Sequence, residues 1–406
     1  MPIQRDVRSL RATWLLVGLG VLALGYLSLG FGALGFDLGR SYPIDLRLRW
    51  TESRLLLQHV NPQTAGHPDP ELSEAHQVMQ RLGGSYPPWA YATGLALTPP
   101  LPWTTTRWYA FILNALAIGV LGWWCHDHLR PAGGTWSWLA VAAAFAIFPV
   151  AICISYGQYS VIVAACVALA ERLLSRPAPG AQVMAGVLIG LACVKPQLAG
   201  LFVLALVVER RWIAVASWAG YLALASGIAA WLAGSNPVTM LATSTREASA
   251  FAFLSHNILT HWAIAVLPFQ AATLVLALAG VAATAVLLVR NRQQPRLVRW
   301  SVCAVIAMFW AYRKHYDVPL MILPVTALLL SAVEVPSLKR SLAFLALGAT
   351  LWLPIRDAQW DWPALQIADL AIWVTILAVL LSSAKDGPRV QRGPVQRSQG
   401  PGQRPR

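Results

Sequence analysis

Charge is what this chain has least of. Only 12% of its 406 residues are Asp, Glu, Lys or Arg, while 57% are hydrophobic, and so little polar surface cannot clothe a water-soluble globule. Acid is scarcer than base, with 17 Asp and Glu against 31 Lys and Arg and a net charge of +14. That excess would suit nucleic acid if it formed one continuous basic face. It falls instead in short clusters between apolar runs, which is how cytoplasmic loops are marked, and no nucleic-acid partner is expected. The five cysteines (Cys125, Cys153, Cys166, Cys193 and Cys303) form no CxxC pair, which argues against a disulfide framework or a zinc site and leaves small residues packed between helices. The histidines show no metal-ligand spacing beyond His126-x-His128, which reads as a solvated loop beside Arg130. No obligate metal and no cofactor is expected, although Asp37 and Asp45 are placed to share an ion. No internal repeat is visible.

What fills the chain is apolar runs. Twelve of them reach or approach the length that crosses a hydrocarbon core of roughly 30 Å: residues 14–35, 104–123, 135–153, 158–173, 182–194, 197–209, 212–232, 271–290, 299–312, 317–333, 340–354 and 366–383. The pattern predicts an all-α integral membrane protein of about twelve transmembrane helices, one polytopic domain over 1–383, with a basic, disordered tail over 384–406. Arginine or other basic residues mark the connections at 126–130, 171–176, 209–211, 290–299 and 339–340, so both termini are expected in the cytoplasm. Two shorter apolar pieces, 87–101 and 260–269, read as re-entrant or juxtamembrane. Trp103, Trp123, Trp124, Trp212, Trp300 and Trp352 stand at run edges, where an interfacial belt belongs. The first extracytoplasmic loop, 36–86, carries two amphipathic stretches that suit interfacial helices: 45–60 with Leu46, Trp50, Leu57 and Val60, and 71–82 with Leu72, Ala75, Met79 and Leu82.

Ionisable groups at membrane depth are expensive, and here they gather at one end of the runs. Asp45, Tyr86, Gln158, Lys195, Gln197, His256, Asn257 and the string Arg313-Lys314-His315-Tyr316-Asp317 all fall at expected outer ends. Lys195 interrupts an otherwise apolar stretch, is followed by Pro196 and has no acidic residue within a helical turn. It calls for a lipid phosphate, a distant carboxylate or a snorkelling path to water. Arg313, Lys314 and His315 break the charge rule on the outer side. A bound phosphate or pyrophosphate explains them, as does pairing of Arg313 or Lys314 with Asp317 or with lipid headgroups. Asp45 by itself reads equally as a helix N-cap.

The order of these features resembles glycosyltransferase family 87, the polyprenyl-phosphate-mannose-dependent α-mannosyltransferases of the membrane-embedded GT-C superfold. Asp45-Leu46 leads to Asn61-Pro62, followed by Ser85-Tyr86-Pro87-Pro88, then Gly157-Gln158, then Lys195-Pro196 closing a Gly- and Leu-rich helix, a loose echo at Ser255-His256-Asn257, and finally His315-Tyr316 before Leu323-Pro324. Arg49 and Gln63 depart from the family pattern, which has aromatic residues near the first position and Tyr at the second. The resemblance implies a GT-C-like enzyme of the bacterial inner membrane. It would move mannose or another hexose or pentose from a polyprenyl-phosphate donor to a lipid or glycan acceptor, with inversion. Asp45 would then be the general base. Lys195, Arg313, Lys314 and His315 would hold the donor phosphate, and Tyr86, Gln158, Gln197, His256 and Asn257 the sugar or acceptor. Twelve spans with inside termini also fit a secondary transporter or lipid-linked-sugar flippase. A transporter would place its coupling groups near the midplane, whereas these lie at one face. A lipid-linked-sugar binding subunit without chemistry would keep the cations and tolerate loss of Asp45.

Overall fold

A computed structural model describes residues 3–36, 43–65, 86–250, 258–309, 314–335, 337–353 and 363–383. The tail, the stretch at 71–82, and Arg313, His256 and Asn257 lie outside them, as does the His315 side chain. Among the described residues the chain is helical, and a helix occupies each of the twelve apolar runs. Five helices are long and apolar enough to cross a bilayer alone: Ala12–Phe36, Trp103–Ala132, Trp212–Leu232, Gln270–Arg290 and Tyr316–Glu334. A sixth candidate is a pair, Gly134–Phe145 and Phe148–Tyr156, bent by 52° where Pro149 opens the second helix. The others are shorter, so among the described residues helix length and composition alone mark five or six crossings of the twelve runs. This is a helical membrane protein in which several apolar runs fold as broken helices, a form tolerated where protein covers the break.

In chain order the elements that position the polar groups are α1 (Ile3–Phe36), α2 (Ile44–Leu57), α3 (Pro88–Leu97), α4 (Trp103–Leu129), α5 (Gly134–Phe145), α6 (Phe148–Tyr156), α7 (Ser160–Leu173), α8 (Pro179–Ala192), α9 (Pro196–Ala199), α10 (Phe202–Val208), α11 (Trp212–Leu232) and, after four further helices, the 3₁₀ turn His315–Met321. Helix α1 packs on α5 and α6, and α8 lies between α7 and α11. The contact with α11 is made by Gly186 and Gly190, four residues apart, whose missing side chains leave room for the Ala214 backbone and the Tyr221 ring.

Several expectations are corrected by the packing. Trp123 and Trp212 are exposed as a belt requires, but Trp124, Trp300 and Trp352 are buried and donate their indole N–H groups inward, to Glu171, Glu209 and the Ala143 carbonyl. Position at a run edge does not decide which way a ring faces, and these three turn to an internal acceptor. On α2 the buried apolar face is Leu46, Trp50 and Leu56, whereas Leu57 and Val60 are exposed. His126 and His128 lie in the last turn of α4 rather than in a loop, and His128 Nε2 sits 3.2 Å from Glu171 Oε2. The five cysteines are free and buried, as the absence of pairs implied.

Four of the basic connections are bonded to one another. Glu209 takes Arg296 and Arg299, each at 2.9 Å; Arg172 reaches Asp127 at 2.7 Å; and Arg211 donates to the Leu174 carbonyl. Helix ends joined in this way occupy one end of the molecule. Lys195 sits at the break between α8 and α9, within the segment that runs between the connections holding Arg172 and Glu209.

Candidate functional site

The site begins on α2. Pro43 precedes the helix and Asp45 lies in its first turn, where the helix dipole favours a carboxylate. Residues 45, 49 and 52 fall on one face, at helical spacings of four and three. Arg49 Nη1 meets Glu52 Oε2 at 2.6 Å, with both side chains 15% exposed, and the Arg49 guanidinium lies 4.0 Å over the Tyr86 ring. Burial pushes the Glu52 carboxyl up to about 6, with Arg49 opposing the rise and the Asp45 charge adding to it. The neighbouring face seats the helix: Trp50 Nε1 donates to the Leu101 carbonyl at 2.7 Å, and Leu46 packs on Gly157. Gly157 ends α6 at φ +67°, a conformation that favours glycine, and a Cβ there would strike Leu46.

Tyr86-Pro87-Pro88 opens α3, with Pro88 at the first helical position, where its missing N–H is harmless. From α3, Trp89 Nε1 donates to the Cys193 carbonyl at 2.7 Å, which ties this helix to the end of α8. Thr98 and Tyr159 exchange a hydroxyl bond at 2.7 Å. Burial raises the Tyr86 phenol, while Arg49 and Lys195 pull it down and Asp45 and Asp317 push it up. Tyr86 therefore stands within electrostatic reach of all four. Gln158 is buried directly after Gly157, and Gln197 is half-buried in α9.

Lys195 lies where α8 ends and Pro196 starts α9. It has the distant carboxylate that its position calls for. Its ammonium meets Asp317 Oδ1 at 2.6 Å and Ser160 Oγ at 2.9 Å, and Ser160 donates to the same Asp317 oxygen at 3.0 Å. The Tyr316 ring covers it at 4.7 Å. Asp317 Oδ2 accepts the backbone N–H of Lys314 at 3.0 Å. The Asp317 carboxylate thus pairs with Lys195, and its contact with Lys314 is to the backbone. The Lys314 ammonium is pulled down by partial burial, opposed by the charges of Asp45 and Asp317.

The structure brings together Asp45, Tyr86, Lys195 and Lys314 from four separate segments. Sequence reasoning overlooked Ser160, the Arg49–Glu52 pair and the Lys195–Asp317 bond. The spacing of 45, 49 and 52 was a usable signal for the second of these. No metal-binding cluster of His, Cys, Asp or Glu occurs among the described residues.

A helical membrane protein with acid, base and tyrosine converging beside helix ends has the parts of a membrane-embedded enzyme. The chain matches glycosyltransferase family 87 over residues 85–312, more than half its length. It belongs to that family and is a glycosyltransferase. The match takes in Tyr86, Gln158 and Lys195, while Asp45 and the turn holding Lys314 and Asp317 lie outside it. No curated protein and no solved structure matches the chain.

Proposed function

We propose that this glycosyltransferase moves a sugar from a polyprenyl-phosphate donor to a hydroxyl of a lipid or glycan acceptor at the extracytoplasmic face of a bacterial inner membrane, with inversion at the anomeric carbon. The twelve helical runs form its membrane domain and both termini face the cytoplasm. Asp45 takes the proton of the acceptor hydroxyl as that oxygen attacks the anomeric carbon, and the bond from carbon to the lipid phosphate breaks on the opposite side. Negative charge then grows on the departing phosphate. Lys314, flanked in sequence by Arg313 and His315, supplies the opposing charge, with Lys195 behind it. Tyr86, Gln158 and Gln197, with His256 and Asn257, contact the sugar or acceptor.

The observation that carries this reading is the family match over residues 85–312, beside a site in which Arg49, one turn along α2 from Asp45, lies 4.0 Å over the Tyr86 ring, while Asp317, bonded to Lys195 at 2.6 Å, accepts the Lys314 N–H at 3.0 Å. A phosphate leaves more readily than an alkoxide, so one base facing one cationic side suffices without a second carboxylic acid. Purified Asp45→Asn protein should bind polyprenyl-phosphate mannose with wild-type affinity and transfer sugar about 10²–10⁴-fold more slowly, the loss that removal of a general base brings. Full transfer activity in that variant refutes the assignment.

A further inference from the structure

We infer that Lys195 is a positioning residue rather than a ligand of the donor phosphate, and that Asp317, held by it, sets the place of the Lys314–His315 segment. The inference deepens the proposed glycosyl transfer and rests on it only for the donor-binding part of its test. An ammonium has three N–H groups and no acceptor. Those of Lys195 face Asp317 Oδ1 at 2.6 Å, Ser160 Oγ at 2.9 Å and the Tyr316 ring at 4.7 Å. The residue is 1% exposed and Asp317 0% exposed. Every direction in which Lys195 can donate is therefore filled from within the chain, and a carboxylate in direct contact cancels its charge. A phosphate arriving there would have to displace Asp317, leaving a buried carboxylate without its counter-ion.

Asp317 faces two ways. Its Oδ1 gathers Lys195 and Ser160, which come from the break after α8 and the start of α7, while Oδ2 accepts the N–H of Lys314. The Asp317 N–H returns to the Lys314 carbonyl at 3.0 Å and closes the turn. One carboxylate thereby fastens the turn that carries Lys314 and His315 to two helix ends, and its orientation depends on the ammonium beneath it. Lys195 acts on the donor through Asp317 and then through the backbone at Lys314.

The test is a double-mutant cycle on the full-length protein in detergent, comparing wild type, Lys195→Met, Asp317→Asn and the double variant. Unfolding temperature and affinity for polyprenyl-phosphate mannose are measured for each. Each single change leaves one buried charge uncompensated, so both should lower the unfolding temperature by several degrees and weaken donor binding by about tenfold or more. The double variant removes both charges and keeps an amide oxygen facing the Lys314 N–H. It should regain most of the unfolding temperature and bind donor to within about threefold of wild type, a residual of under 1 kcal/mol. A direct phosphate ligand predicts otherwise: the double variant melts normally yet binds donor as poorly as Lys195→Met, and that result overturns the inference. A double variant that melts no higher than the singles also overturns it. Where a single variant fails to fold, the double variant decides alone. If the wild type binds no polyprenyl-phosphate mannose, the proposed donor is wrong; a double variant that melts with the wild type then supports Lys195 as the residue that holds Asp317, and one that melts no higher than the singles overturns it.

Discussion

Glu52 should destabilise this protein at neutral pH, and its replacement by glutamine should reveal by how much. The carboxyl stands on α2 with 15% of its side chain exposed, beside Arg49 and within reach of the Asp45 charge. Burial and Asp45 together outweigh Arg49, so the group titrates at about 6 rather than at its ordinary 4.5. At 1.36 kcal/mol for each pH unit, that displacement corresponds to about 2 kcal/mol between the two protonation states. The folded chain binds this proton more tightly than the unfolded chain does. The stabilisation it gives is complete below pH 4.5 and is lost as the pH rises through about 6. Glu52→Gln keeps the shape and stays neutral throughout. It should match the wild type near pH 4.5 and exceed it by up to about 2 kcal/mol at pH 8, with the gap opening between those values. Unfolding followed by tryptophan fluorescence in detergent, in buffers from pH 4.5 to 8, measures this directly. A gap that stays constant with pH, or a glutamine variant less stable at pH 8, refutes the electrostatic reasoning and makes Arg49–Glu52 a net stabilising pair.

Gly157→Ala should lower the unfolding temperature, because alanine pays about 1–2 kcal/mol for the left-handed backbone and its Cβ would strike Leu46. Since Leu46 adjoins Asp45, sugar transfer by that variant should fall further than the stability loss explains, as steady-state assay below its unfolding temperature would show. At the opposite end, Glu209→Gln leaves Arg296 and Arg299 without their shared carboxylate; it should cost about 3 kcal/mol of stability while leaving the affinity for donor unchanged, as thermal unfolding and equilibrium binding would separate.

The helices were legible because apolar length is written locally, and the family because its short motifs keep their order along the chain. What escaped sequence reading depends on distance in the fold. Lys195 and Asp317 are 122 residues apart, so the search for an acid within a helical turn of Lys195 had no chance of finding it. The burial of Trp124, Trp300 and Trp352 escaped for a related reason: each answers an acceptor on another segment, and run edges carry no trace of that. Arg49 and Glu52 were within reach, since spacings of four and three put them on one helical face with Asp45. Helix length shows fewer crossings than the apolar runs do because Pro and Gly cut several runs into shorter helices, as at Pro149 and Pro196.

The bond between Lys195 and Asp317 also bears on how the protein is made. A membrane chain is delivered to the bilayer from its N-terminus, so the helix break carrying Lys195 is inserted long before the turn that carries Asp317 exists. Until then its ammonium lacks this counter-charge, and the unwound stretch between α8 and Pro196 is held without its final fastening. A lone buried cation in such a place costs several kcal/mol, and arrival of Asp317 removes that penalty while fastening the turn that carries Lys314.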